Sequence, residues 1–383
     1  MDLSHRAGLY VHVPFCRSKC PYCSFSSAVP QPGDIRDYVE ALRRQMRQMA
    51  ARPEIEGLTF ATVFFGGGTP SLLPPEVLSL LLADCRALFS FGIEQTEISI
   101  EVNPATIDAA GLQQLRRAGF NRVSLGIQSL DDRDLASLGR IHTAAEALAT
   151  ISAARHAGFD NLSCDLMYGL PGQTAQSWQR ILERMLAVTP EHCSLYELTV
   201  EEGTPLSRQV EQGQWFLPPE EEVLAMMATT ANMVSCAGLV RYEISNYAAP
   251  GRECQHNLNY WHNGCYLGFG PAAVSAFGGR RLTAVPVLRA YCQRLTTGQP
   301  VWDEIEQLPP EAALRETVIM GLRMLSGVSV TGLRERFDLD LVSYYGATLD
   351  LLIGQGLLVL AGDRLFLAPK GLPLANQVMA RLV

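Results

Sequence analysis

The 383-residue chain lacks any apolar run of the roughly 18–20 residues that a membrane span requires. It lacks a secretory signal: Met1 to Ala7 lead straight into a strand-like stretch, so the expected location is the cytoplasm. It lacks basic excess. The 31 Lys and Arg against 39 Asp and Glu leave a net charge of −8, which argues against general nucleic-acid affinity, because binding phosphate needs a basic surface. No low-complexity tract occurs, and no internal repeat beyond the β/α units described below. Three cysteines cluster near the N-terminus, yet no second C-x2-C or H-x3-H pair exists to complete a common zinc site.

What is present is a chain 48% hydrophobic and 18% charged, the balance of a packed globular protein. Its length is too great for one small core and predicts a large α/β domain plus a smaller one. Seven of the ten cysteines are scattered: Cys85, Cys164, Cys193, Cys236, Cys254, Cys265 and Cys292. In a reducing compartment these are expected to be buried apolar fillers. Clustered thiols in such a compartment point instead to metal or redox work.

Short apolar stretches at Gly8–Val13, Thr59–Phe65, Glu97–Val102, Arg122–Ile127, Ser163–Tyr168, Ser194–Val200 and Val240–Ile244 read as strands. Between them the apolar spacing is helical. Ile35, Tyr38, Val39, Leu42, Met46 and Met49 fall on one face; Leu78, Leu81, Leu82 and Leu88 mark a second helix, and Leu112 with Leu115 a short third. Ala144–Ala157 and Trp178–Val188 continue the series, and Leu217-Pro218-Pro219 opens a helix rich in Met and Ala. Repeated β-then-α units predict a parallel sheet with helices outside, and the polar and glycine motifs fall just after the strands, where β/α barrels carry their chemistry. Leu308-Pro309-Pro310 marks a boundary. Beyond it, helices at Leu314–Leu325, Val330–Phe337 and Leu341–Gln355 precede two strands around a Gly-Asp turn, the outline of a winged helix. Its seven basic and seven acidic side chains over Glu311–Val383 leave no electrostatic footprint for DNA, so a structural or docking role is expected.

The cysteine trio Cys16, Cys20 and Cys23 has the spacing C-x3-C-x2-C. A four-iron cluster held by three thiolates leaves one iron without a protein ligand, which is useful if a small molecule occupies it. An amino-acid group, with an amine and a carboxylate, would chelate that iron, and S-adenosylmethionine offers both. An electron from the cluster would then cleave the sulfonium bond and form a 5′-deoxyadenosyl radical. On these residues the chain resembles the radical S-adenosylmethionine superfamily. It resembles more closely the group of anaerobic coproporphyrinogen III oxidases (dehydrogenases) and HemW-type haem chaperones, over nearly the whole chain from Tyr10 onward.

The resemblance implies a partial (β/α)6 TIM-like barrel over 1–240, a connecting segment over 241–308 and a winged-helix-like α+β domain over 309–383. Phe65-Gly66-Gly67-Gly68-Thr69-Pro70-Ser71 follows the second strand, and glycines let backbone approach a ligand closely. By resemblance, Gly67, Gly68 and Thr69 meet the methionine amine of the cofactor. Glu101 in Glu101-Val102-Asn103-Pro104, Gln128 at the end of the fourth strand, Arg140 twelve residues later and Asp165 match further cofactor-binding positions. So do Tyr10 and Tyr22. Read without the resemblance, these residues would be a surface charge, a strand-end cap, a solvated charge, a buried hydrogen-bonded Asp and core tyrosines.

Two features divide the group. The dehydrogenase pattern has another cysteine two residues after the third ligand, where this chain has Phe25; it also has an extension ahead of the first strand, where nine residues precede Tyr10 here. Much later comes Cys254-Gln255-His256-Asn257-Leu258-Asn259-Tyr260-Trp261, whose H-N-x-x-Y-W string resembles the signature tied to haem binding in the chaperones. His256 is then the expected haem ligand, Asn257 its orienting partner, and Tyr260 and Trp261 rings to pack on the macrocycle. Cys254 and His262 are the alternatives, and Tyr266–Pro271 is expected as a tight turn nearby. The expected function is a haem chaperone that binds a [4Fe-4S] cluster, S-adenosylmethionine and haem, draws on an electron donor and passes haem to an acceptor protein that can be membrane-associated. The rival readings are coproporphyrinogen dehydrogenase and radical methyltransferase.

Overall fold

A computed structural model describes residues 6–92 and 96–383. Met1–His5, part of the stretch read as free of a secretory signal, lie outside them. No helix of the described residues is long and apolar enough to cross a membrane.

Six parallel strands form the frame: β1 (Arg6–Val13), β2 (Thr59–Gly67), β3 (Glu97–Val102), β4 (Arg122–Gln128), β5 (Leu162–Tyr168) and β6 (His192–Glu197). They pair in chain order, each joined to the next through at least one helix, as β/α units must be when connections are short and right-handed. On the outward pleat Leu9, Val11, Val63, Phe65, Ile98, Ile100, Val123 and Leu125 are buried under the helices. The opposite pleat is polar or small: Gly8, Tyr10, His12, Ser99, Glu101, Ser124, Ser163 and Asp165. This two-residue alternation gives the sheet an oily outside and a polar inside.

The sheet continues at both edges. Beyond β6 lie β7 (Val240–Arg241) and β8 (Asn246–Ala248), in the order β6-β8-β7 and antiparallel. The strand expected over Val240–Ile244 is therefore only two residues long, because Glu243 turns into the interior and is fully buried. Beside β1 run β9 (Cys265–Phe269), β10 (Val274–Phe277), β11 (Arg280–Ala284) and β12 (Trp302–Gln307). Residues 241–308, expected as a connecting segment, thus hold five strands of this sheet, β8 to β12. Tyr266–Pro271 is not a tight turn: Cys265–Phe269 is a strand parallel to β1, with Gly8 opposite Tyr266 and Tyr10 opposite Gly268, because Leu267 and Phe269 are buried in the main core.

After Pro309 come helices Pro310–Gly321, Val330–Phe337 and Leu341–Gly354, the last interrupted at Gly346 (φ +47°). The strands β13 (Val328–Ser329), β14 (Leu358–Ala361) and β15 (Arg364–Leu367) form a separate small sheet in the order β13-β15-β14. This unit has its own core of Leu314, Val318, Leu341, Leu352, Leu365 and their neighbours.

Of the scattered cysteines, Cys85, Cys164, Cys193 and Cys254 are buried as expected; Cys265 and Cys292 are half-buried, and Cys236, in the last turn of a surface helix, is exposed. Packing of the outer layer is illustrated by Trp178. Its ring is fully buried between helices Ala175–Leu186 and Glu220–Cys236, and its Nε1–H donates to Thr230 Oγ1 at 2.8 Å. Trp178→Ala removes the ring and leaves that hydroxyl without its donor. The expected loss is about 3–5 kcal/mol of unfolding free energy, measured by urea denaturation.

Candidate cofactor site

The three cysteines lie on one loop at the C-terminal end of β1. Its base is closed by backbone: Cys16 N–H donates to Ala28 O at 3.0 Å and Ala28 N–H to Pro14 O at 2.9 Å. Inside it, Cys23 N–H donates to Cys20 O at 3.1 Å. All three thiols are half-buried, and burial raises the Cys23 thiol above its ordinary value. His12, buried on β1, anchors the loop from below, with Nε2 2.8 Å from Ser26 O and Nδ1 3.0 Å from the Tyr10 hydroxyl.

The loop after β2 packs directly against this one. Gly67 has φ +115°, and a Cβ there would lie 2.7 Å from the His12 ring. A Cβ on Gly68 would lie 2.6 Å from Phe15 O and 3.0 Å from Cys16 Sγ. Only glycine permits that approach. Thr69 Oγ1 then donates to Cys16 Sγ at 3.7 Å. Asn103, just past β3, donates from Nδ2 to Thr69 Oγ1 at 2.8 Å and accepts at Oδ1 from Arg140 Nη2 at 2.8 Å. Arg140 also donates to Gly126 O at 2.6 Å and to Cys20 Sγ at 3.7 Å, while its buried Nε has no partner. A cleft lined by Arg17, Cys20, Thr69, Asn103, Thr106 and Arg140 opens here.

Glu101 and Asp165 face the polar interior below that cleft. Glu101 accepts from Gly67 N–H at 3.1 Å. Burial, then the charge of Asp165, push its carboxyl up to about 8. Burial also raises Asp165, opposed by hydroxyls: Ser124 Oγ donates at 3.0 Å and Ser163 Oγ at 2.9 Å. Gln128 stands at φ +68°, beside a register shift between β4 and β5 that re-aims its side chain. Tyr22 is half-buried against the apolar cluster of Leu138, Met167, Leu170, Leu198 and Leu206. Tyr10 is half-buried with its hydroxyl on His12 and its ring stacked on Phe64 at 6.3 Å. Phe25 is 63% exposed beside the thiols.

The donor set suits an iron–sulfur cluster: soft thiolates on an open loop, sulfur-directed hydrogen bonds from Thr69 and Arg140, and two glycines that seat the loop after β2 directly on the thiol loop. Two residues escaped sequence reasoning, His12 and Asn103. Asn103 carried a signal, since it stands inside the Glu101–Pro104 motif at a strand end. His12 had only its place two residues before Pro14.

The motif helix Gln255–Trp261 lies elsewhere, against the N-terminal halves of β1 and β2. Glu97, at the start of β3, accepts from Gln255 N–H at 3.0 Å and His256 N–H at 3.1 Å. His256 is 1% exposed. Its Nδ1 is 2.7 Å from Thr62 Oγ1 and its Nε2 3.0 Å from the Tyr260 hydroxyl, so neither nitrogen is free in this arrangement. Burial, then the Arg122 charge, lower its pKa to about 3. Asn257 and Tyr260 are half-buried, and the half-buried Trp261 ring lies under the Arg323 guanidinium at 4.4 Å. Cys254 is buried with Sγ 3.6 Å from Glu97 Oε1, and His262 is exposed.

The model of the Radical SAM superfamily matches residues 10–185, and that of the HemN C-terminal domain matches 308–374. The chain is 32% identical to "Heme chaperone HemW" of Bacillus subtilis, over 96% of this chain and 97% of that protein. It is 36% identical to the "Heme chaperone HemW" of Mycobacterium tuberculosis (strain CDC 1551 / Oshkosh), over 98% and 94%. The chain belongs to the HemW family of radical SAM proteins. Its fold matches the solved structure of coproporphyrinogen III oxidase (HemN) from Escherichia coli, with TM-score 0.85, 25% identity, and coverage of 99% of this chain and 90% of that one. Membership implies a [4Fe-4S] cluster and S-adenosylmethionine, and the loop chemistry above fits both.

The carboxyl of Glu101 sets a pH dependence for this HemW-family chain. Folding raises its pKa from about 4.5 to about 8, so the native state holds the proton more tightly than the unfolded state between those values. Its contribution is fully present below pH 4.5 and is lost as pH rises through 8. In the cluster-free protein, Glu101→Gln should gain stability relative to wild type as pH rises across that window, with little difference below it. Urea midpoints at closely spaced pH values measure this.

Proposed function

We propose that this chain is a haem chaperone: it holds a [4Fe-4S] cluster through Cys16, Cys20 and Cys23, binds S-adenosylmethionine and haem, and passes the haem to an acceptor protein. The observation that carries the reading is the thiol loop seated on the glycine loop, with exposed Phe25 rather than a fourth sulfur two residues beyond Cys23. Cluster and cofactor, when bound, supply one-electron reductive cleavage of a sulfonium. The chain's own residues do the positioning. Gly67, Gly68 and Thr69 bring backbone to the ligand, Glu101 and Asp165 offer carboxyl groups to its ribose and amine, and Gln128, Arg140 and Tyr22 border it. Tyr10 and His12 brace the strand that carries the thiols.

Haem belongs in this reading at the motif helix, with His256 as ligand, Asn257 beside it, and Tyr260 and Trp261 as ring contacts. The names of the full-length relatives support haem as the ligand. An electron donor and an acceptor protein complete the cycle, and the domains at 1–240, 241–308 and 309–383 divide the work between cofactor, haem helix and docking. We place the cycle in the cytoplasm.

The experiment is anaerobic. Reconstituted, reduced protein with S-adenosylmethionine is given haem in one tube and coproporphyrinogen III in another. The expected outcome is a Soret absorbance shift at one haem per chain, weakened at least about tenfold in His256→Ala, and no decarboxylated porphyrinogen by mass spectrometry. Multiple-turnover decarboxylation would replace the chaperone reading with that of a haem-synthesis enzyme.

A further inference from the structure

The haem-binding reading gives His256 to an iron, yet the structure encloses it. Its ring stacks on Phe64 at 5.1 Å and on Tyr10 at 6.3 Å, with both nitrogens bonded internally. A macrocycle can reach it only if helix Gln255–Trp261 moves. At its start, that helix is held by Glu97 and by the Tyr242 hydroxyl, which accepts from Cys254 N–H at 3.4 Å.

Its other end is held by the C-terminal domain. Arg336 donates to His262 O at 3.3 Å and to Asn263 O at 2.8 Å. Asn263 Nδ2 donates to Thr317 Oγ1 at 2.9 Å, and Arg323 covers Trp261. This seam is under-satisfied. Trp261 Nε1, Arg323 Nε and Glu243 Oε2 are all buried without a hydrogen-bond partner, and the fully buried Glu243 has Arg323 no nearer than 3.8 Å. Orphaned polar atoms are rare in settled interiors, because each forfeits its hydration without replacement. Three at one seam mark contacts that are weak for the area they close. Immediately after the helix, Asn263 sits at φ +49°, a left-handed position where the chain changes direction.

We propose that helix Gln255–Trp261 is a lid latched by the C-terminal domain through Arg323 and Arg336, and that its release turns His256 outward as an axial haem ligand. This rests on the haem-binding reading. Haem that binds only the open form has an apparent affinity reduced by the open fraction, so loosening the latch tightens haem binding.

Two readouts separate the lid from the haem reading. Amide hydrogen exchange without haem reports the latch alone. In Arg323→Gln and Arg336→Gln, exchange over residues 256–261 should accelerate about tenfold while β4 stays protected, and haem affinity should rise by about the same factor. His256→Ala in the Arg323→Gln background should lose the low-spin haem spectrum. Haem binding with unchanged exchange in both arginine variants would overturn the lid alone. Ligation lost in His262→Ala but kept in His256→Ala would overturn it too, since His262 is already exposed. Faster exchange with no haem spectrum in any protein, wild type included, would overturn the haem reading and the lid's purpose with it.

Discussion

Two stretches of backbone, the loop after β1 and the loop after β2, approach more closely than any side chain allows. Gly67 lies against the His12 ring, and Gly68 against the Phe15 carbonyl and Cys16 sulfur. The rest of the site follows from that approach. It puts Thr69 on the Cys16 thiol, Asn103 on Thr69, and Arg140 on both Asn103 and the Cys20 thiol. A methyl group at either glycine would pry apart the loops that bring β1, β2, β3 and β4 to one ligand.

Below these loops the sheet encloses polar groups, a costly arrangement unless they find partners. They do so in a chain: Asp165 takes a hydrogen bond from Ser163, Ser163 meets His192 Nδ1 at 2.8 Å, and His192 Nε2 meets the Tyr242 hydroxyl at 2.9 Å. Tyr242 in turn meets the start of the motif helix. The polar interior therefore runs from beneath the thiol loop to the start of helix Gln255–Trp261.

Much of this was legible in the sequence. Alternating apolar residues marked β1 to β5 to within a residue or two at each end, since burial under helices leaves a strong pattern. The cysteine spacing and glycine run marked two loops that the fold brings into contact. The edge strands β8 to β12 were not legible. Cys265–Phe269 carries Gly268 and runs into Gly270-Pro271, so it reads as a turn, and only its pairing with β1 makes it a strand. The burial of His256 was not legible either, because Thr62 and Tyr10, which enclose it, lie 194 and 246 residues away in sequence. Asn103 and His12 act through hydrogen bonds to loops, which leave no periodic trace.

The claim that three thiolates leave one iron open to the cofactor is tested most directly by electron paramagnetic resonance of the anaerobically reconstituted, reduced protein. The account predicts about four irons per chain, a [4Fe-4S]⁺ signal that changes shape on addition of S-adenosylmethionine, and no signal in Cys16→Ala, Cys20→Ala or Cys23→Ala. A fully loaded cluster whose signal is identical with and without S-adenosylmethionine would contradict it.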